Sequence, residues 1–144
     1  WGVFLSRCYA LVALHLRAIV CVLMSIWVEF FNYGSIAKVL TKAKSLEAQL
    51  GRPPVIGCLG LAFKPDVDDL RESPALYITT ELLNSDYQVY PCEPNLNHYT
   101  SIKLYTLDYV RKNADLLVFF VAHSPFFDIN LSDCVFLDFC GVSN

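Results

Sequence analysis

The chain has 144 residues, enough for one domain of ordinary size. Its formal net charge of -3, with 17% charged residues, carries no basic footprint for nucleic acid. At 55% apolar residues and a mean hydropathy of +0.41, it is too apolar for a disordered chain.

The apolar excess sits at the start. Residues 3–31 are apolar nearly throughout, broken by Arg7, His15, Arg17 and Glu29. The longest stretch free of charge and histidine, residues 18–28, is shorter than the roughly 20 residues of a membrane span. Arg17 is costly in hydrocarbon and interrupts the apolar core that an export signal requires. A helix that is buried or faces a partner is the favoured expectation, and a membrane role is not. Anchoring by residues 3–31 remains an alternative, as does a stretch with no function of its own.

Residues 35–50 read as an amphipathic helix. Ile36, Val39, Leu40, Ala43, Leu46 and Leu50 fall on one face, with Lys38, Lys42, Lys44, Glu47 and Gln49 mostly opposite. Ser35 is expected to cap its start and Gly51 to end it in a left-handed turn, with Pro53 and Pro54 forbidding continuation. Residues 55–61 then form a short continuous apolar run, the pattern of a strand buried on both faces. Ser73 and Pro74 open a helix as cap and first residue, with Ala75, Ile78, Leu82 and Leu83 as its apolar stripe. Residues 87–92 read as a strand in which Pro91 demands an early end or an edge position. A short helix over 107–112, a strand within 114–122 and a last strand over 135–138 follow. Strand–helix–strand order predicts an α/β fold: a Rossmann-like parallel sheet with flanking helices, preceded by an N-terminal helical segment. The expected division is an apolar segment 1–31, a connecting helix 32–51 and a ligand-binding domain 52–144. The roughly ninety residues from Val55 onward are few for a two-faced sheet, so helix 35–50 or a partner is expected to cover one face.

The chemistry concentrates just after the first strand. A strand that ends in a charged loop and returns as a helix is where open α/β sheets place ligands. That loop carries Lys64 and Arg71, side chains suited to phosphate oxygens. Lys64 as a solvated loop lysine, and Arg71 in an ion pair with Asp68 or Glu72, are the plain alternatives. Asp66, Asp68, Asp69 and Glu72 lack the spacing of a calcium loop and read as solvated acids before a helix. Gly57 and Gly60 lie within the strand and do not form the G-x-G-x-x-G turn of a dinucleotide site. The six cysteines show neither C-x-x-C pairs nor zinc spacing, so reduced, buried thiols of a cytoplasmic protein are expected.

Four separated segments carry a resemblance: Gly-Leu-Ala-Phe-Lys-Pro at 60–65 continued by Asp-Asp-Leu-Arg-Glu-Ser-Pro-Ala at 68–75, Glu93-Pro94-Asn95, His123-Ser124-Pro125-Phe126, and Asp138-Phe139-Cys140-Gly141. In this order and spacing they resemble the C-terminal, UDP-binding domain of the NAD-dependent nucleotide-sugar 6-dehydrogenases. That family includes the UDP-glucose, GDP-mannose and UDP-N-acetylmannosamine enzymes, and the wording is nearest the last branch. The resemblance covers roughly residues 32–142. It implies that Phe63 and Lys64 contact a UDP-sugar. It implies that Arg71 reaches NAD held on an N-terminal domain, that His123 positions its loop, and that the parent enzyme is a homodimer. Family members oxidise a sugar alcohol to an acid through a thioester on the cysteine of a Gly-Gly-x-Cys segment, for polysaccharide synthesis. No such segment is present, neither Cys8 nor Cys21 is assigned as nucleophile, and no catalytic or metal-binding residue is named. Cys140 stands where the family usually carries lysine or arginine, a charge that a thiol does not supply. The expectation is a truncated, inactive substrate-binding part of such an enzyme. A non-catalytic nucleotide-binding module is the alternative.

Overall fold

The computed structural model describes residues 2–143, with side chains described from His15 onward; Arg7 and Cys8 of the expected N-terminal segment lie outside the described side chains. The elements in chain order are α1 (Gly2–Leu50), β1 (Ile56–Leu59), α2 (Pro74–Leu83), β2 (Val89–Cys92), α3 (Leu107–Asn113), β3 (Leu116–Phe119) and β4 (Val135–Asp138). Two compact units divide between Gly34 and Ser35.

The first unit is helical. Residues 15–31 are exposed throughout, among them Leu23, Met24, Trp27 and Phe30. The helix from His15 is long and apolar enough to cross a membrane by length and composition. The expectation of a stretch buried within the chain is not met. Ser35 does not start a helix either: α1 runs through it unbroken, and the side chain is buried in its interior. The helix continues through Asn32, Tyr33 and Gly34 despite their low propensity, because each further residue adds a backbone bond once the helix is formed and one capping hydroxyl does not offset that.

The second unit is a four-stranded, all-parallel sheet in the order β2-β1-β3-β4. The strands have four residues each; the first three are shorter than the apolar runs that signal them, and β4 has the expected bounds. Pairing stops where the chain peels into loops at the sheet's C-terminal edge. Alternate residues serve opposite faces. Ile56, Cys58, Val89, Leu116 and Val118 pack with Val39, Ala43 and Leu46 of α1 and with Ile78 and Leu82 of α2. Leu59, Leu117, Phe119, Tyr90 and Cys92 pack with Val110 of α3 and with Phe126 and Ile129. The C-terminal part of α1 therefore covers the face that the strands alone leave bare. Leu50, expected on this apolar face, is 44% exposed because the helix ends there. Gly51 follows with φ +69°, and its N–H bonds Glu47 O at 2.9 Å, as expected of a left-handed stop.

Pro91 sits in edge strand β2, as its missing N–H requires. Gln88 O and Cys92 O accept bonds from Ile56 and Gly60 in the β1 segment. Pro91 O points outward instead and accepts from Tyr105 N at 2.8 Å. The ring therefore removes no ladder bond. Ser73 accepts from Leu76 N at the start of α2, with Pro74 at the first helical position.

Candidate functional site

The chain leaves β1 for β2 on one side and returns across it to β3 on the other. Strands β1 and β3 are therefore neighbours at the topological switch point, where open α/β sheets form their ligand crevice. The loops after β1 and β3 meet there. Gly60, with φ +85°, lies against the Val121 backbone so closely that a Cβ would stand 2.7 Å from Val121 O.

The loop after β1 begins buried and turns outward. Leu61, Ala62 and Leu70 are withdrawn from solvent and pack on Leu76, Leu96, Tyr99 and Leu104. Between them Phe63 N bonds Asp69 O at 2.9 Å, closing an exposed turn. Phe63 is 53% exposed, and the Lys64 ammonium lies 6.0 Å from its ring centroid. Among the described residues no carboxylate neutralises Lys64. Arg71 is exposed and held in bidentate fashion by Asp69, at 2.9 and 2.8 Å. The sequence pointed to Asp68 or Glu72, but the turn brings Asp69 under the guanidinium, because Asp69 Oδ1 also accepts from Arg71 N at 3.0 Å. Phe63, Asp69, Arg71 and Glu72 line a shallow cavity of about 360 Å³.

Under this turn lies a buried polar cluster. Glu93, just past β2, accepts from Leu61 N at 2.8 Å, Ala62 N at 3.0 Å and His123 Nε2 at 3.0 Å. His123 Nδ1 accepts from Asp66 N at 2.9 Å and faces Asn95 Nδ2 at 3.0 Å. Two donors at Nδ1 and a carboxylate at Nε2 assign the Nε2–H tautomer. Burial pushes the Glu93 carboxyl up, but bonds from His123, Leu61 and Asn95 outweigh it and hold the group below its ordinary value. The Asp66 carboxylate accepts from Ser124 Oγ at 2.6 Å and Ser124 N at 2.8 Å. Loops after three strands are thus tied together, with Phe63 and Lys64 left free on top. Glu93 and Asn95 entered the sequence reading only as a segment of the resemblance and Asp66 only as a solvated acid, so none was expected in a cluster with His123. The signal available was a polar residue at the C-terminal end of each strand.

At the end of β4, Asp138 accepts from Cys140 N, Gly141 N, Ser143 N and Ser143 Oγ at 2.7–3.0 Å. The half-buried Cys140 thiol is pushed up to about 12, by desolvation first and then by the Asp138 charge. It carries no charge at neutral pH. A second cavity of about 320 Å³ opens beside β2, lined in part by Glu93, Asn97, Tyr105 and Pro125. Among the described residues, Gly57 and Gly60 do not form the cradle of a dinucleotide. Gly57 is pressed against Val110, where a Cβ would stand 2.4 Å from Cγ1, and Gly60 against Val121. Neither glycine is open to a pyrophosphate.

The sequence profile of the UDP-glucose/GDP-mannose dehydrogenase family, UDP binding domain, matches residues 57–142. The chain belongs to this family. The matched span runs from β1 through the loop after β4, and so contains every loop of the candidate site. The UDP-N-acetyl-D-mannosamine dehydrogenase of Campylobacter jejuni is 43% identical over 95 residues, covering 60% of this chain and 23% of the relative. Among solved structures, a UDP-D-ManNAc dehydrogenase from Pyrococcus horikoshii superposes with TM-score 0.60 at 25% identity, over 77% of this chain and 27% of that one. A UDP-N-acetyl-mannosamine dehydrogenase from S. aureus gives 0.58 at 30% identity, over 74% and 27%. The chain spans about a quarter of the length of these relatives. The Rossmann-like UDP-binding fold expected from the sequence is the one observed.

Proposed function

We propose that this chain is the nucleotide-binding part of a cytoplasmic, NAD-dependent UDP-sugar 6-dehydrogenase of the UDP-N-acetylmannosamine type. The carrying observation is the turn after β1: an unneutralised Lys64 beside the exposed ring of Phe63, at the sheet's switch point. A diphosphate needs the cation, and a base or sugar face suits the ring. In this role Phe63 and Lys64 contact the UDP-sugar. Arg71, already oriented by Asp69, reaches toward NAD held elsewhere in a homodimeric enzyme. In this reading the hydride acceptor site and the nucleophilic cysteine for oxidation of the sugar alcohol to the uronic acid belong to another part of the enzyme, and no turnover is expected of this chain by itself. Calorimetric titration with UDP tests the proposal. Binding that weakens about tenfold or more in Lys64→Ala, the scale of a lost charge-assisted bond, supports it. No binding by the folded wild-type chain refutes it.

The exposed helix favours a second role, attachment to a lipid surface. Apolar residues from Leu16 to Phe31 are exposed on every side of α1, and a helix that is apolar all round suits lipid better than a one-sided protein groove. Flotation with phospholipid vesicles, retained by the whole chain and lost in Leu23→Lys with Trp27→Lys, would support it. A chain that stays in the aqueous fraction would exclude it.

A further inference from the structure

We propose that Glu93 and His123 form a positioning pair that shapes the turn carrying Phe63 and Lys64, and thereby sets its affinity for a nucleoside diphosphate. The inference rests on the nucleotide-binding role proposed above. The pair grips the turn on both sides. Glu93 holds the two N–H groups immediately before Phe63, those of Leu61 and Ala62. His123 holds the N–H of Asp66, two residues after Lys64. The two side chains are joined at 3.0 Å, and His123 is fully buried with Glu93 only 3% exposed. Asn95 completes the set, facing His123 Nδ1 at 3.0 Å with its own N–H on Glu93 Oε1 at 3.2 Å.

A buried carboxylate is an inefficient way to gain stability, since apolar packing serves as well. What it does supply is a fixed direction for each N–H it accepts. Asp66 has φ +57°, a left-handed conformation that needs holding. His123 and Ser124 hold it from both ends, by its N–H and its carboxylate. With the backbone bonds of the turn consumed inside, the Phe63 and Lys64 side chains are presented outward with none of their own polar groups engaged. His123 is fully buried, and the Glu93 carboxylate is taken up by Leu61, Ala62, Asn95 and His123, so both act through the turn and neither is a catalytic residue.

The test uses the whole chain with Glu93→Ala, Glu93→Gln and His123→Ala, and Ile78→Ala on the far face of the sheet as a control that lowers stability without touching the turn. UDP affinity is measured by calorimetry, and amide exchange is followed at Leu61, Ala62 and Asp66. Glu93→Ala and His123→Ala are expected to weaken UDP about tenfold or more, the scale of a lost buried bond. Glu93→Gln retains most of the affinity, because its amide oxygen accepts from Leu61 N, Ala62 N and His123 Nε2, while the bond from Asn95 N to the other oxygen is lost. Ile78→Ala melts lower but binds as wild type. Exchange is expected to quicken at Leu61 and Ala62 in the first variant and at Asp66 in the His123 variant. If Glu93→Ala does not fold, His123→Asn carries the test, since it keeps an acceptor for Asp66 N but loses the bond to Glu93. Wild-type affinity in the alanine variants, an equal loss in Ile78→Ala, or unchanged exchange at these amides would overturn the proposal. A wild-type chain that binds no UDP overturns the nucleotide role and the affinity half of this inference, and amide exchange alone then decides whether the pair shapes the turn.

Discussion

Gly60 and Val121 meet backbone to backbone at the switch point, with space for a hydrogen but not for a methyl group: a Cβ on Gly60 would lie 2.7 Å from Val121 O and 2.9 Å from Val121 N. Gly60 also has φ +85°. Gly60→Ala therefore meets both a left-handed backbone penalty and a clash with rigid atoms, and about 2–4 kcal/mol of stability should be lost. Gly51→Ala is the control, since its φ is +69° but nothing lies within 4 Å of the added carbon. Its cost should stay near 1 kcal/mol. Urea unfolding of both variants measures the difference, and equal losses would contradict the close approach.

The opposite edge of the sheet is closed by Asp115. Its carboxylate takes Arg52 in bidentate fashion at 2.8 and 2.9 Å and also accepts from Val55 N at 2.8 Å. Arg52 is largely exposed and contributes little through the ion pair alone. Asp115→Ala leaves a half-buried N–H without its partner and should cost about 1–3 kcal/mol. Arg52→Ala should cost clearly less, and a larger loss from the arginine than from the aspartate would reverse the assignment.

Asp138 predicts a pH dependence. Desolvation raises its carboxyl, but the backbone and hydroxyl bonds of Ser143 and the N–H groups of Cys140 and Gly141 outweigh that, holding it well below the usual range. The folded value lies below the unfolded one of about 3.9. The stabilisation is therefore complete above that pH and is lost as pH falls toward the folded value. Melting temperatures of wild type and Asp138→Asn should differ at neutral pH and converge in acid. Parallel curves would show that the carboxylate charge does not matter.

The thiols should divide by burial. Desolvation pushes Cys58 and Cys92 up to about 12, reinforced at Cys92 by the Glu93 charge. Cys21 is exposed on α1. Iodoacetamide on the native chain, read by mass spectrometry, should alkylate Cys21 while Cys58 and Cys92 stay unmodified until urea is added. Native labelling of Cys58 would mean that the sheet opens.

The sequence alone determined the parallel α/β fold, the strand and helix order, the restriction of the Pro91 strand to an early end or an edge, and the caps at Ser73 and Gly51. Each follows from local chemistry: apolar period, a proline without an N–H, a hydroxyl or glycine at a helix end. Lys64 and Arg71 were legible as candidates because they share one short charged loop, and Phe63 only through the family resemblance. Tertiary structure decided that α1 runs through Ser35, that Asp69 rather than Asp68 or Glu72 holds Arg71, and that Glu93, Asn95, Asp66 and His123 form one cluster. The cluster joins residues separated by tens of positions, such as Glu93 and His123 at 30. Which of them meet is set by the crossover that places β3 beside β1, and no local pattern encodes the distance between two loops that only the sheet brings together.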